Sequence, residues 1–141
     1  MNSLGITAQV VELAYAIKGA GIEVDAKVLS RAEEALKRVL RSDFPFLVGY
    51  RYNQQTSAMR ALARAGKLDE HYLANLFQRR GEMDAVSLAD LAFSMSKRPD
   101  AFRANLDVLK KELWETVVVK LRDGKEFVEK IQRDRSGWGW S

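Results

Sequence analysis

TSAMRALARAGKLDEHYLANLFQRRG, residues 56–81, decides the fold. Ala58, Met59, Ala61, Leu62 and Ala65 recur at the three- and four-residue spacing that puts side chains on one face of a helix. Gly66-Lys67-Leu68 then turns the chain, since glycine enters left-handed backbone without a Cβ clash. Asp69 offers a side-chain oxygen to the open amides of a new helix start. Tyr72, Leu73, Leu76 and Phe77 form the inward face of that helix, which runs to Arg79-Arg80-Gly81. Two helices around a tight turn make an antiparallel hairpin.

The next segment repeats the plan. Asp84 is a cap, Val86, Leu88, Leu91, Ala92 and Met95 line one face, and Lys97-Arg98-Pro99 turns the chain. Asp100 is expected to cap a last long helix with Phe102, Leu106, Leu109 and Leu113 inward. A slide of about 30 residues lays Tyr72 on Phe102, Leu76 on Leu106, Leu62 on Ala92 and Ala61 on Leu91, a two-helix repeat of the kind that builds solenoids and toroids. Upstream, residues 7–18 predict a helix with Val10, Val11, Leu13, Ala14 and Ile17 at helical spacing, stopped at Gly19-Ala20-Gly21. Asp25 caps a second helix to about Arg41, whose stripe is Val28, Leu29, Ala32, Leu36, Val39 and Leu40. This first hairpin matches the repeat weakly, as terminal repeats do. Between it and the next, residues 42–49 carry Pro45, which disfavours helix at Phe44 and predicts an extended linker packed on the body.

After Trp114 the residues change character. Thr116 to Leu121 is β-branched, Asp123-Gly124 is a two-residue hairpin turn, and Glu126 to Ile131 is the returning strand. A two-residue loop sets Lys120 opposite Phe127 but Val117 opposite Lys130, an imperfect pairing, and a short helix at Phe127, Val128 and Ile131 is the competing reading. The chain thus reads as mainly α: one domain of antiparallel helical hairpins over 1–141, part of an α/α toroid, with a β-hairpin appended at 116–131.

Composition narrows the chemistry. With 47% hydrophobic and 30% charged residues, the chain has the make-up of a folded domain. No stretch is long and apolar enough for a membrane span, and the first residues lack a signal peptide's basic and apolar regions. The absence of cysteine excludes disulfides, thiolate nucleophiles and Cys-based zinc sites. The net charge of +4 is spread among acids, which favours solvated salt-bridged faces over a nucleic-acid footprint. Tyr50, Arg51, Tyr52 and Asn53 with Arg60 and Arg64 could imitate an aromatic-basic surface, yet tyrosine at a helix start more often packs on a neighbour.

Catalytic, cofactor and metal residues are not found. His71 is the sole histidine, with no triad or ligand partner in spacing, and reads as a surface residue. The pairs Glu33-Glu34 and Asp69-Glu70 read as helix surface and helix start, where capping and dipole effects account for them. Gly19 and Gly21 lack the third glycine and the preceding strand of a dinucleotide site. Gln132 with Gly137-Trp138-Gly139-Trp140 is similar to the Gln-Trp repeat of triterpene cyclases. The gap is one residue longer, the repeat occurs once, and the acidic Asp-x-Asp-Asp motif is missing, so cyclase chemistry is not expected. The two tryptophans at the end predict rings that pack on a following part of a larger protein.

Residues 61–66 (Ala-Leu-Ala-Arg-Ala-Gly) with 72–80, Leu88-Ala89-Asp90-Leu91-Ala92 and the stretch Val117 to Ser141 together resemble the helical thioester-type domain of bacterial alpha-2-macroglobulins. The resemblance implies a toroid segment of a protease trap in the periplasm or cell envelope. Its partners would be proteases, met through the full-length protein, and that protein's other domains; self-association of the segment could cover an open apolar face. The family's reactive Cys-Gly-Glu-Gln thioester requires a cysteine, so no thioester residue lies in this chain. A free-standing helical-repeat adaptor that binds peptides is the alternative, although the tetratricopeptide signature is not met.

Overall fold

In a computed structural model of the chain, the described residues are 3–41 and 52–133. The expected linker at 42–49, Tyr50, Arg51, the terminal tryptophans and the side chain of Val39 lie outside them. Among the described residues the architecture is mainly α, with six helices and a two-stranded antiparallel hairpin: α1 (Ser3–Gly19), α2 (Ala26–Arg41), α3 (Asn53–Arg64), α4 (Glu70–Gln78), a 3₁₀ turn at Arg80–Glu82, α5 (Ala85–Ser96), α6 (Pro99–Thr116), β1 (Val117–Arg122) and β2 (Lys125–Ile131).

Local chemistry explains where the helices end. At the end of α1, Gly21 adopts φ +87° and donates to the Lys18 carbonyl, while the Ile22 amide reaches back to Ile17. After α3, Gly66 at φ +76° does the same, donating to Ala63, with Lys67 bonded to Leu62. Both ends are Schellman closures, which satisfy carbonyls left open by the last turn. The helices that follow are capped by aspartate: Asp25 accepts from the amide of Lys27, and Asp69 from that of Tyr72. Asp84 caps α5 through Ser87.

Asp100 is not a cap. Pro99 takes the first helical position of α6, where its missing N–H costs nothing and its fixed φ is already helical. Asp100 thus falls inside the first turn, and its side chain is exposed to solvent. A kink follows at Phe102 (φ −121°, ψ 23°), whose ring is buried.

Helices α1, α3 and α5 pack side by side as a row, with α2 against α1 and α6 against α5. One core runs through them, formed by Ala8 and Val11 of α1, Leu36 of α2, Ala58, Met59 and Leu62 of α3, Leu73 of α4, Leu88, Leu91 and Met95 of α5, and Leu109 of α6. Most inward residues expected from spacing are there, with Tyr72, Ala92, Leu106 and Leu113 half-buried at its margin. Val10, Leu13, Val28 and Val86 are exceptions and face solvent. Helical spacing admits more apolar residues than one face can bury, and in α1 these split into two opposed stripes.

The hairpin forms as expected at its tip, with Asp123 at φ 53° and Gly124 at φ +76° forming the tight turn that suits twisted strands. Lys120 pairs with Phe127 and Val119 with Val128. The expected pairing of Val117 with Lys130 is replaced by Val117 with Ile131, because an irregularity lets Glu129 bulge out between Val118 and Val119. The helix alternative at 127–131 does not form.

Candidate functional site

Three charged clusters tie the helices together. The first centres on Arg60 of α3, which donates through Nε to Glu12 of α1 at 3.0 Å and through Nη1 to Asp90 of α5 at 2.9 Å. Its guanidinium also stacks over Phe93, 4.9 Å from the ring centre. The bond to Asp90 is the main influence that raises its pKa, with Glu12 adding to it, so the charged form is favoured. One arginine therefore spans all three helices of the row.

The second cluster is buried. Glu33 of α2 was expected on the helix surface beside Glu34, but its side chain is almost completely enclosed. Tyr15 of α1 donates its hydroxyl to Glu33, and Lys67, from the turn after α3, pairs with the other carboxylate oxygen. Burial alone would raise the Glu33 pKa, but Lys67 and Tyr15 outweigh it and hold the carboxyl below its usual value. The Tyr15 hydroxyl, desolvated and facing Glu33, is pushed up to about 12. Glu34 stays exposed beside Lys37. No sequence motif signals Glu33; its i+3 relation to Leu36 on the inward stripe is the only hint.

The third cluster fixes the β-hairpin to the body. Arg133, two residues beyond β2, donates to the carbonyls of Met83 at 2.6 Å and Arg80 at 2.8 Å, and pairs with Glu112 of α6. Arg80 reaches the same carboxylate at 2.7 Å and lies over Phe77. The Gln132 amide bonded to the Thr116 carbonyl extends the strand pairing to the hairpin's base.

Other sequence candidates are dispersed. His71 is exposed, Asp69 is occupied as a cap, and Glu70 pairs loosely with Arg98. Tyr52 bonds to Glu82 and accepts from Arg79, Arg60 is taken by its carboxylates, and Arg64 faces solvent, so the described members of this set do not come together as a basic surface. Gly21 serves helix closure. Among the described residues, no group of three His, Asp or Glu could hold a metal, and no helix is long and apolar enough to cross a membrane.

The β-hairpin leaves apolar side chains outward. Because Glu129 bulges out, Val117, Val119 and Leu121 of β1 share one face with Val128, Ile131 and a single charged residue, Glu126, of β2, while Lys120, Arg122, Lys125 and Lys130 share the other with Val118 and Phe127. Val119, Leu121, Val128 and Ile131 are each about half exposed or more, Leu121 at 71%. Trp114, three residues ahead of β1, is 69% exposed. The ribbon is therefore a two-sided element with an open apolar face.

No family model, curated protein or solved structure matches the chain.

Proposed function

We propose that this chain is a non-catalytic, structural protein-contact module, a segment of an alpha-2-macroglobulin-like protease inhibitor working in the periplasm or cell envelope. The observation that carries the contact role is the ribbon β1–β2. A lone two-stranded hairpin is marginal in water, and an exposed apolar face of this kind is the usual mark of a surface made to be covered by protein. Arg133 and Glu112 hold the ribbon firmly on the body, as a contact element requires. Arg60, Glu12, Asp90, Glu33 and Lys67 are engaged in ties between helices.

In this reading the other domains of the parent inhibitor cover the ribbon, and the protease is met by the whole molecule. The protease-trap context comes from the sequence resemblance, and the test is the reading frame around the chain. A frame that continues on both sides, preceded by β-sandwich repeats, is the expected finding. A frame that starts at Met1 and stops at Ser141 overturns the macroglobulin-type reading and leaves a free-standing helical adaptor.

A further inference from the structure

Helix α1 carries two apolar faces. Ala8 and Val11 point into the core, and Glu12 beside them reaches Arg60. Ile6, Val10, Leu13 and Ile17 lie about 180° away around the helix at 3.6 residues per turn. Ile6 is 53% exposed, Val10 51% and Leu13 61%, with Ile17 half-buried. The Schellman closure brings Ile22, also exposed, back to the Ile17 end of this stripe. A helix apolar on both sides is built for burial on both sides.

We infer that this outer stripe is the seat of a second copy of the same chain, packed α1 against α1. Three observations select that occupant. The spacing of 6, 10, 13 and 17 is the alternation of four and three that interlocks two helices in a coiled-coil seam. It reads the same in both directions, so in an antiparallel pair Ile6 meets Ile17 of the other copy and Val10 meets Leu13, as a two-fold interface requires. The flanking positions Thr7, Gln9, Ala14 and Ala16 carry no charge. A charged partner finds nothing there to pair with, and a second copy meets no like-charge repulsion.

The fold supplies the third observation. Among the described residues α1 is the end member of the row α5–α3–α1, and its inner face already packs helix to helix on α3. A second α1 on the outer face continues that row across the two-fold axis, and the two copies close each other off. The self-pairing rests on the α1 stripe and not on the ribbon, and it can fail while the protease-inhibitor reading stands.

Sedimentation of the whole chain over a micromolar to high-micromolar series tests it, alongside the double variant Val10→Glu, Leu13→Glu. Both positions are more than half exposed, so circular dichroism of the variant should match that of the parent chain. The expected result is twice the chain mass for the parent sequence and a single chain mass for the variant. A parent chain that stays monomeric throughout overturns the inference, and so does a dimer that the double variant leaves intact, since that dimer would use another face. Should the variant unfold, Leu13→Gln alone gives the same reading: a weakened dimer supports the seam, and an unchanged one overturns it.

Discussion

Arg60 and Asp90 stand 30 residues apart in the sequence, at equivalent places in successive helical hairpins, and are joined by a 2.9 Å ion pair. The repeat that aligns Ala61 with Leu91 also puts an arginine and an aspartate on facing sides of neighbouring helices. Glu12 extends the tie to the first helix of the row. The cluster links apolar layers that could otherwise slide, since a charge misplaced by one turn would lose its partner in a poorly solvated place.

Arg60→Ala is predicted to destabilise the chain. It strands Asp90, whose side chain is 11% exposed. Arg60 itself is 39% exposed, so water softens the loss to about 2 kcal/mol. Thermal unfolding should fall by roughly 7 °C. Replacing both partners, Arg60→Met with Asp90→Leu, should cost clearly less than the sum of the two single changes. Additive losses would show that the pair acts independently.

Glu33 makes stability depend on acid. Its folded pKa lies below the unfolded value of 4.5, so its contribution is present above that pH and lost as pH falls through the folded value. Denaturant unfolding at neutral and at acid pH should give a smaller difference for Glu33→Gln than for the parent chain. An equal difference would mean that Lys67 and Tyr15 do not favour the charged form.

Tyr15 governs the alkaline side. Its folded pKa of about 12 exceeds the unfolded 10.0, so its contribution is present below pH 10.0 and lost as pH rises towards 12. Absorbance titration of tyrosinate should show a late component that Tyr15→Phe abolishes. A late component that persists in the variant would belong to another tyrosine.

The turn at Asp123-Gly124 tests how independent the ribbon is. Gly124→Val forces a β-branched side chain into left-handed backbone at φ +76°, which costs about 1–2 kcal/mol. Since β1 and β2 are largely exposed, the loss should appear as faster amide exchange over residues 117–131, with the melting of the helical body little changed. A large fall in the whole-chain midpoint would mean that the ribbon is integral to the core.

Features with local causes were legible in the sequence. The aspartate caps at 25, 69 and 84, the turn at Gly66 and the hairpin turn each rest on interactions within a few residues. Asp100 misled because Pro99, one residue earlier, already opens that helix. The exposure of Val10, Leu13, Val28 and Val86 was hidden, since spacing reveals apolar stripes but not which stripe meets a neighbour. The apolar ribbon was half visible: strand residues and turn could be read, but the bulge at Glu129 that gathers five apolar residues on one face depends on cross-strand fit. The ties of Arg60, Glu33 and Arg133 join residues far apart in sequence, with no local signature.

The proposed protease-trap reading meets its most direct test in the full-length inhibitor to which that proposal assigns this chain. It is incubated with an endopeptidase, and residual activity is followed on a small peptide substrate and on casein. Entrapment predicts that cleavage of casein falls sharply while cleavage of the small peptide persists, because the enclosed protease keeps an open active site. Equal loss on both substrates, or no loss on either, would contradict it.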